Sequence, residues 1–210
     1  MTAFLYAIAD AEALHPRPLP DAVAEMAEAG VRWIQVRAKR LSGDAWYRAL
    51  EGCVRAVEPT GAELWVDDRV DLAALLPVRG VHLGQADLPP AAARRVVGEG
   101  VRIGLSTHDE AQLAAADADP EVDVIAVGPV FATTGKERPD PVVGLSFVAR
   151  ARAGTAKRLV AIGGIDAGNV GQVLAAGADA AAVLGAVCRG DVRANCRRLL
   201  AAAKRGCASS

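Results

Sequence analysis

The chain has 210 residues, of which 52% are hydrophobic and 4% aromatic, and its 24 Lys and Arg nearly balance its 25 Asp and Glu. This length fits one domain, which we expect to span residues 1–210. The balanced charge argues against the uniformly basic surface of a nucleic-acid or membrane-surface binder, so any anion site must be local.

Short apolar runs recur along the chain, and each is followed by a segment of helical periodicity with no linker between units. The first run is far shorter than the ~18 residues of a membrane helix, so we expect no membrane association and a cytoplasmic location. Most runs are continuous and β-branched, which is typical of strands buried on both faces. We predict eight strands, at residues 4–9, 33–37, 63–67, 80–84, 102–106, 122–128, 159–163 and 180–184.

Helix signals support this alternation. Asp21 begins an apolar periodic segment that Gly30 ends, and a second helix is predicted from Asp166 to Gly177. Eight βα units in one unbroken domain favour a closed (β/α)₈ TIM barrel, with an open doubly wound sheet as the alternative. In such barrels the active site lies in the loops at the carboxyl ends of the strands, which directs attention to the residues there.

The second predicted strand ends in three polar residues on one side, Gln35, Arg37 and Lys39, because side chains alternate along a strand. A guanidinium fork and a mobile ammonium suit a polyphosphate, and the amide can both donate to and accept from a heterocycle. The alternative is a solvated loop.

Acidic residues follow the third and fourth strands. Asp67 and Asp68 end the third, and Asp87 follows the fourth. Carboxylate oxygens, with open positions filled by water and phosphate, are what Mg²⁺ prefers, so Asp68 and Asp87 are a candidate metal pair. The alternative is that each caps the helix that follows it. A metal site explains Asp68 and Asp87 together better than two separate caps do. The two residues lie opposite a basic cluster, and carboxylates without a metal would repel the phosphates that the cluster attracts.

The remaining strand ends carry small and hydroxyl-bearing residues. Such residues can donate to phosphate oxygens or let backbone N–H groups approach an anion, and barrel phosphate sites are commonly built after strands seven and eight. His108 lies at a strand end, where imidazole can transfer protons near neutral pH. The candidates here are Ser106, Thr133, Thr134, Gly135, Lys136, Gly164, Leu184 and Gly185.

Four motifs stand in a specific order and spacing: Gln-Val-Arg-Ala-Lys at residues 35–39, Asp-Asp-Arg-Val-Asp-Leu-Ala at 67–73, Gly-Val-His-Leu-Gly-Gln-Ala-Asp-Leu-Pro at 80–89, and Ala-Ile-Gly-Gly-Ile at 161–165. With this set the chain resembles the thiamine phosphate synthase family over almost its whole length. The resemblance implies a Mg²⁺-dependent transferase of thiamine biosynthesis. Such an enzyme joins an aminopyrimidine diphosphate to a thiazole phosphate, or to its carboxylated form, and releases pyrophosphate.

The resemblance also implies roles for individual residues. The thiazole phosphate would be held by residues 133–135 with Gly164, Leu184 and Gly185, and Mg²⁺ by Asp68 and Asp87. We expect these small molecules as partners, together with a homodimer. The aminopyrimidine diphosphate would be held by Gln35, Arg37, Lys39, Asp67, Ser106 and Lys136, of which Arg37, Lys39, Ser106 and Lys136 would act in catalysis.

Three positions depart from the family pattern: Asp67 replaces the usual Asn, Gly135 a Thr, and Gly185 a Ser. A carboxylate cannot donate a hydrogen bond unless it is protonated, and each glycine removes a hydroxyl. Two alternative functions therefore remain. One is that of the sister thiazole tautomerases, whose catalytic His matches His108, and the other is a regulatory barrel that binds phosphate ligands without turnover.

Overall fold

A computed structural model describes residues 4–133 and 141–208. Eight parallel strands close into a barrel in which each strand pairs with the next in the chain and the last pairs with the first. The predicted (β/α)₈ barrel is thus confirmed over the open sheet. The strands are β1 Phe4–Asp10, β2 Trp33–Arg37, β3 Glu63–Asp67, β4 Gly80–Leu83, β5 Arg102–Thr107, β6 Val124–Val127, β7 Arg158–Ile162 and β8 Ala180–Val183.

Helices lie between the strands and cover the outer face of the barrel. In α3, Trp46, Leu50, Cys53 and Val57 recur at three- and four-residue spacing and form its buried stripe. The described helices are α1 Ala11–Leu14, α2 Leu19–Glu28, α3 Gly43–Val57, α4 Val70–Leu75, α5 Pro90–Val97, α6 Glu110–Ala118, α7 Gly144–Gly154, α8 Val170–Ala175, α9 Gly185–Cys188 and α10 Val192–Ala208.

The alternation of side chains along each strand separates two apolar layers. On β1, Leu5 and Ala7 join the large layer between barrel and helices, whereas Tyr6 and Ile8 join a smaller cluster inside the barrel. Trp33 and Trp65 belong to that inner cluster, and their ring centroids are 5.0 Å apart. Large aromatic side chains therefore fill part of the barrel interior, and a cavity lies towards the carboxyl ends of the strands.

One glycine is required by this aromatic packing. A Cβ atom at Gly80 on β4 would overlap the indole ring of Trp65, which faces it from β3. The bare backbone at this position therefore makes room for the large ring inside the barrel.

The two helices predicted from their end signals both form, with shifted bounds. The first begins at Leu19 rather than Asp21, because Pro20 favours the first helical turn, and Gly30 follows its end with φ +99°. The second begins at Val170 rather than Asp166. There Asp166 accepts a hydrogen bond from the backbone N–H of Gly168 at 2.7 Å, which makes a turn instead of the first helical turn.

Within residues 4–133 and 141–208, none of the helices combines the length and apolar composition needed to cross a bilayer. Cys53, Cys188 and Cys196 are free thiols in the interior. Burial raises the pKa of Cys53 to about 12, so this thiol stays protonated and unreactive at neutral pH.

Candidate active site

Two adjoining cavities open at the carboxyl ends of the strands. The first, of about 180 Å³, lies inside the barrel mouth, and the larger second lies over the ends of β1, β7 and β8. The walls of both include Arg37, Thr133 and Leu184. The first cavity brings together the sequence candidates Gln35, Arg37, Asp67, Ser106, Thr133 and Leu184, and the second Arg37, Lys39, Thr133, Gly164, Leu184 and Gly185.

Gln35 is held in the floor of the first cavity. Its side-chain amide donates to the hydroxyl oxygen of Tyr6 at 3.1 Å, and both side chains are buried. Burial is the main cause that raises the pKa of Tyr6, so its hydroxyl stays neutral. The bond with Tyr6 fixes the orientation of the amide, which leaves its carbonyl oxygen as a defined acceptor.

Arg37 does not project freely into solvent as its position at a strand end suggests. Register pairs it with Asp10 at the end of β1, and its guanidinium forms an ion pair with that carboxylate. It also lies 3.8 Å from Glu12 and 3.4 Å from Asp67. The side chain of Arg37 is 26% exposed and that of Asp10 only 5%, so these charges interact in a partly dehydrated environment.

Asp67 lies between the two cations of the site. Its carboxylate is 3.4 Å from both Arg37 Nε and Lys39 Nζ. Even so its pKa is raised, chiefly by burial; the two cations oppose the shift, and the Asp87 carboxylate adds to it. The carboxylate that replaces the usual amide is therefore tied to the basic residues rather than presented alone to a ligand.

Asp68 and Asp87 are not helix caps. The N-terminal caps of α4 and α5 are Arg69 and Pro89, and neither makes a side-chain capping bond. Asp68 instead has φ +59°, a left-handed conformation that Asp tolerates better than most residues, and its carboxylate contacts the Lys39 ammonium. Asp87 accepts a hydrogen bond from the backbone N–H of Gly84 at 2.7 Å.

This donor set fits a magnesium site that a ligand completes. No cluster of three or more His, Cys, Asp and Glu side chains within the described residues makes a closed metal cage. Mg²⁺ does not need one, because it usually takes one or two carboxylates and fills its other positions with water and substrate phosphates. The Asp68 carboxylate already pairs with one positive charge, the Lys39 ammonium.

Two histidines line the first cavity. His82 Nε2 lies 2.9 Å from the hydroxyl oxygen of Ser106, so the imidazole orients that hydroxyl. His108 Nδ1 lies 2.6 Å from the carbonyl oxygen of Gly128, which requires Nδ1 to carry the hydrogen. Both rings are therefore held in fixed orientations in the cavity wall.

The glycines after β7 and β8 have different constraints. Gly163 and Gly164 have φ +102° and +63°, and a Cβ on either would meet backbone or side-chain atoms of residues 129–132. Among the described residues, no atom lies within 4 Å of the position that a Cβ would take at Gly185. Glycine is thus required by the fold after β7, whereas Gly185 leaves open space. The candidates Thr134, Gly135 and Lys136 lie outside the described residues.

Three residues of the site were missed by the reasoning from sequence, which considered the ends of the later strands but not that of β1. Asp10 and Glu12 bind Arg37, and Tyr6 holds Gln35. The same rule on strand ends, applied to the run that terminates in Asp10, predicts an acidic group at this mouth of the barrel.

The sequence comparisons and a solved structure at 29% identity agree on one family. The family model described as thiamine monophosphate synthase matches residues 5–187. A thiamine-phosphate synthase from Koribacter versatilis is 44% identical over 184 residues, which is 86% of each chain. One from Methanoculleus marisnigri is 41% identical over 204 residues, 95% of this chain and 96% of the other. The solved structure of thiamine phosphate pyrophosphorylase from Pyrococcus furiosus superposes with a TM-score of 0.87 at 29% identity, covering 98% and 97% of the two chains.

Proposed function

The chain belongs to the thiamine monophosphate synthase family, and we propose that it is a Mg²⁺-dependent thiamine-phosphate synthase that acts on an aminopyrimidine diphosphate and a thiazole phosphate. In this reaction the bond between the pyrimidine methylene carbon and the diphosphate oxygen breaks, and pyrophosphate leaves with the electron pair. The thiazole nitrogen then donates its lone pair to the same carbon, so no oxidant or reductant is needed.

The observation that carries the proposal is the charged cluster at the rim of an apolar cavity. Arg37 and Lys39 lie among four carboxylates, Asp10, Glu12, Asp67 and Asp68, each within ion-pair distance of one or both cations. A free diphosphate would be repelled by this excess of carboxylates. A diphosphate that arrives with a divalent cation would match the cluster, because the positive charge of the cation offsets the repulsion from the carboxylates.

The basic side chains act on the leaving group. In the proposed complex, Arg37 and Lys39 donate to the diphosphate oxygens, where negative charge builds as the bond to carbon breaks. Mg²⁺ bound by Asp68 and Asp87 would neutralise part of the same charge. Asp10 and Asp67 hold the Arg37 guanidinium in place, so little side-chain entropy is lost when the substrate binds.

The cavity itself orients the pyrimidine and excludes water. The Gln35 carbonyl oxygen, fixed through Tyr6, can accept from the exocyclic amino group, and Ser106 offers a hydroxyl oriented by His82. The lining of the cavity also includes the apolar side chains of Ile8, Ala126, Val160 and Ala182. This apolar lining favours capture of the electron-deficient carbon by thiazole rather than by water.

In this proposal the thiazole phosphate would bind in the second cavity, whose lining includes Thr133, Gly164, Leu184 and Gly185. Gly164 can bring its backbone N–H close to an anion because it carries no side chain. We further propose that the protein works in the cytoplasm as a homodimer.

The test is product formation from purified protein. Incubation with the pyrimidine diphosphate, the thiazole phosphate and Mg²⁺ should give thiamine phosphate and pyrophosphate, detected by chromatography. Omission of Mg²⁺ with added chelator should stop the reaction. Tight binding of both substrates without any product at saturating Mg²⁺ would contradict synthase function and favour a regulatory barrel.

A second candidate function rests on His108. Its ring is fixed in the cavity wall by the Gly128 carbonyl, as a proton-transfer group requires, and it corresponds to the catalytic His of thiazole tautomerases. In this case the protein would rearrange the thiazole phosphate without any pyrimidine substrate. NMR of the thiazole phosphate in D₂O, with protein alone, tests this: His108-dependent rearrangement supports it, and an unchanged spectrum excludes it.

A further inference from the structure

The Lys39 ammonium forms an ion pair with Asp68, the carboxylate that the proposed function assigns to the metal. Its Nζ contacts Asp68 Oδ2 and lies 3.4 Å from Asp67 Oδ2. Lys39 is thus bound to acidic partners rather than held ready for phosphate. The ammonium carries one positive charge, which it already shares between Asp67 and Asp68, so it cannot also neutralise a diphosphate while it keeps both partners.

We propose that Lys39 is an exchangeable counter-ion of the metal site: it neutralises Asp68 in the ligand-free protein and transfers to the diphosphate when a divalent cation takes Asp68. This inference rests on the proposed function, because it uses the same metal and the same diphosphate. It predicts that metal and diphosphate bind cooperatively and that the metal–diphosphate complex is the form this site takes up.

Lys39 suits this exchange better than Arg37. Its side chain is 46% exposed, and its ammonium sits on a flexible stem that can reorient at little cost. Arg37 is 26% exposed and is held by Asp10, Glu12 and Asp67 on several sides. One cation of the pair is therefore fixed in place, and the other is free to change partners.

The charge balance makes the exchange favourable only for both ligands together. Binding of the cation alone at Asp68 displaces the ammonium from its partner and brings a second positive charge close to it. Binding of the diphosphate alone draws Lys39 away and leaves Asp68 unpaired beside Asp67 and a new anion. Each ligand removes the repulsion that the other creates, and such coupling must act equally in both directions.

Binding measurements on the Lys39→Met variant test the exchange without any turnover. By titration calorimetry, the variant should bind Mg²⁺ alone severalfold more tightly than the unaltered protein, because the competing ammonium is gone. In the unaltered protein, pyrophosphate should bind about tenfold or more tightly with excess Mg²⁺ than with chelator, within the range typical of coupled sites. In Lys39→Met this enhancement should shrink.

Arg40→Met is the matched control. Arg40 lines the second cavity beside Lys39, and within the described part of the chain its side chain forms no ion pair, so the variant removes a nearby positive charge without freeing Asp68. Its affinity for Mg²⁺ alone should change less than twofold. Equal tightening in both variants would show a general charge effect and overturn the exchange, as would unchanged or weaker Mg²⁺ binding in Lys39→Met.

The Asp68→Asn variant, titrated in the same way, tests whether Mg²⁺ binds at Asp68. This variant should lose most of its affinity for Mg²⁺ alone. Retained affinity would overturn the proposal, because Lys39 would then cover no metal ligand. The product assay separates this inference from the proposed function. A protein that makes thiamine phosphate but shows no effect of Lys39→Met on Mg²⁺ binding keeps its function and loses the exchange. A protein that binds Mg²⁺ and pyrophosphate cooperatively but makes no thiamine phosphate would support the exchange and contradict the proposed function.

Discussion

Replacement of the two candidate metal ligands gives the sharpest test of the site, with Asp68→Asn and Asp87→Asn made singly and together. Asparagine is the right replacement at both positions. Asp68 has φ +59°, which Asn adopts readily, whereas Ala there would add backbone strain of roughly 1–2 kcal/mol. In the unaltered protein the Gly84 N–H donates to the Asp87 carboxylate at 2.7 Å, and the side-chain oxygen of Asn at position 87 can still accept this hydrogen bond.

The expected cost in stability is small. Asp68 loses its ion pair with Lys39, a half-exposed pair of the kind that contributes ~0–1 kcal/mol. For a chain of this size such a loss lowers the melting temperature by about 2–4 °C at most. Neither residue caps a helix through its side chain, so no further capping loss is expected.

The expected cost in turnover is much larger. A metal ion that stabilises charge on a leaving group contributes several kcal/mol, and a loss of ~3 kcal/mol corresponds to a rate decrease of more than about a hundredfold. Because both carboxylates serve one ion, the double variant should be little slower than either single variant.

Steady-state turnover at increasing Mg²⁺, with thermal unfolding of each variant, measures both quantities. Single variants that unfold normally and have lost most turnover, with a double variant no worse, support one shared site. Near-normal turnover of Asp68→Asn and Asp87→Asn at saturating Mg²⁺ would refute it. Rate losses that multiply in the double variant would show that the two carboxylates act independently.

Three further predictions follow from packing and charge. Burial raises the pKa of Asp67 in the folded protein, so the unfolding free energy should decline as pH rises through that pKa. The Asp67→Asn variant should not show this decline when melting curves are taken across pH. The same variant should keep turnover within about tenfold, ~1.4 kcal/mol of barrier, and a larger drop would show that the carboxylate is used. Gly185→Ser adds a hydroxyl in open space. One new hydrogen bond of ~1 kcal/mol should lower the KM for thiazole phosphate by about fivefold. An unchanged KM would indicate that the phosphate binds elsewhere. Gly80→Ala forces a methyl group against Trp65 and should cost ~1–3 kcal/mol in thermal unfolding, while Gly185→Ala, the control, should cost little.

Much of the site was predictable because strand ends are local features of the sequence. Alternation placed Gln35, Arg37 and Lys39 on one side, and the barrel rule placed Asp68 and Asp87 at the same mouth. The sequence favoured a metal ligand over a helix cap at Asp68 and Asp87 from charge alone, but the backbone conformation that excludes a cap at Asp68 was not predictable. A side chain can cap a helix only if the backbone angles at the helix start allow it. Asp68 instead adopts a left-handed conformation that the residue pattern does not predict.

The alternation of strands and helices could be predicted from the sequence alone, because apolar periodicity depends only on near neighbours in the chain. The count of eight βα units favoured a closed barrel, and the structure confirms that closure. Which charged side chains form ion pairs became visible only in the folded protein. Arg37 pairs with Asp10, 27 residues earlier, because the register between β1 and β2 aligns them, and Lys39 reaches Asp68, 29 residues later. Register is a property of two packed strands, so the neutralisation of the basic pair could not be read from either strand alone.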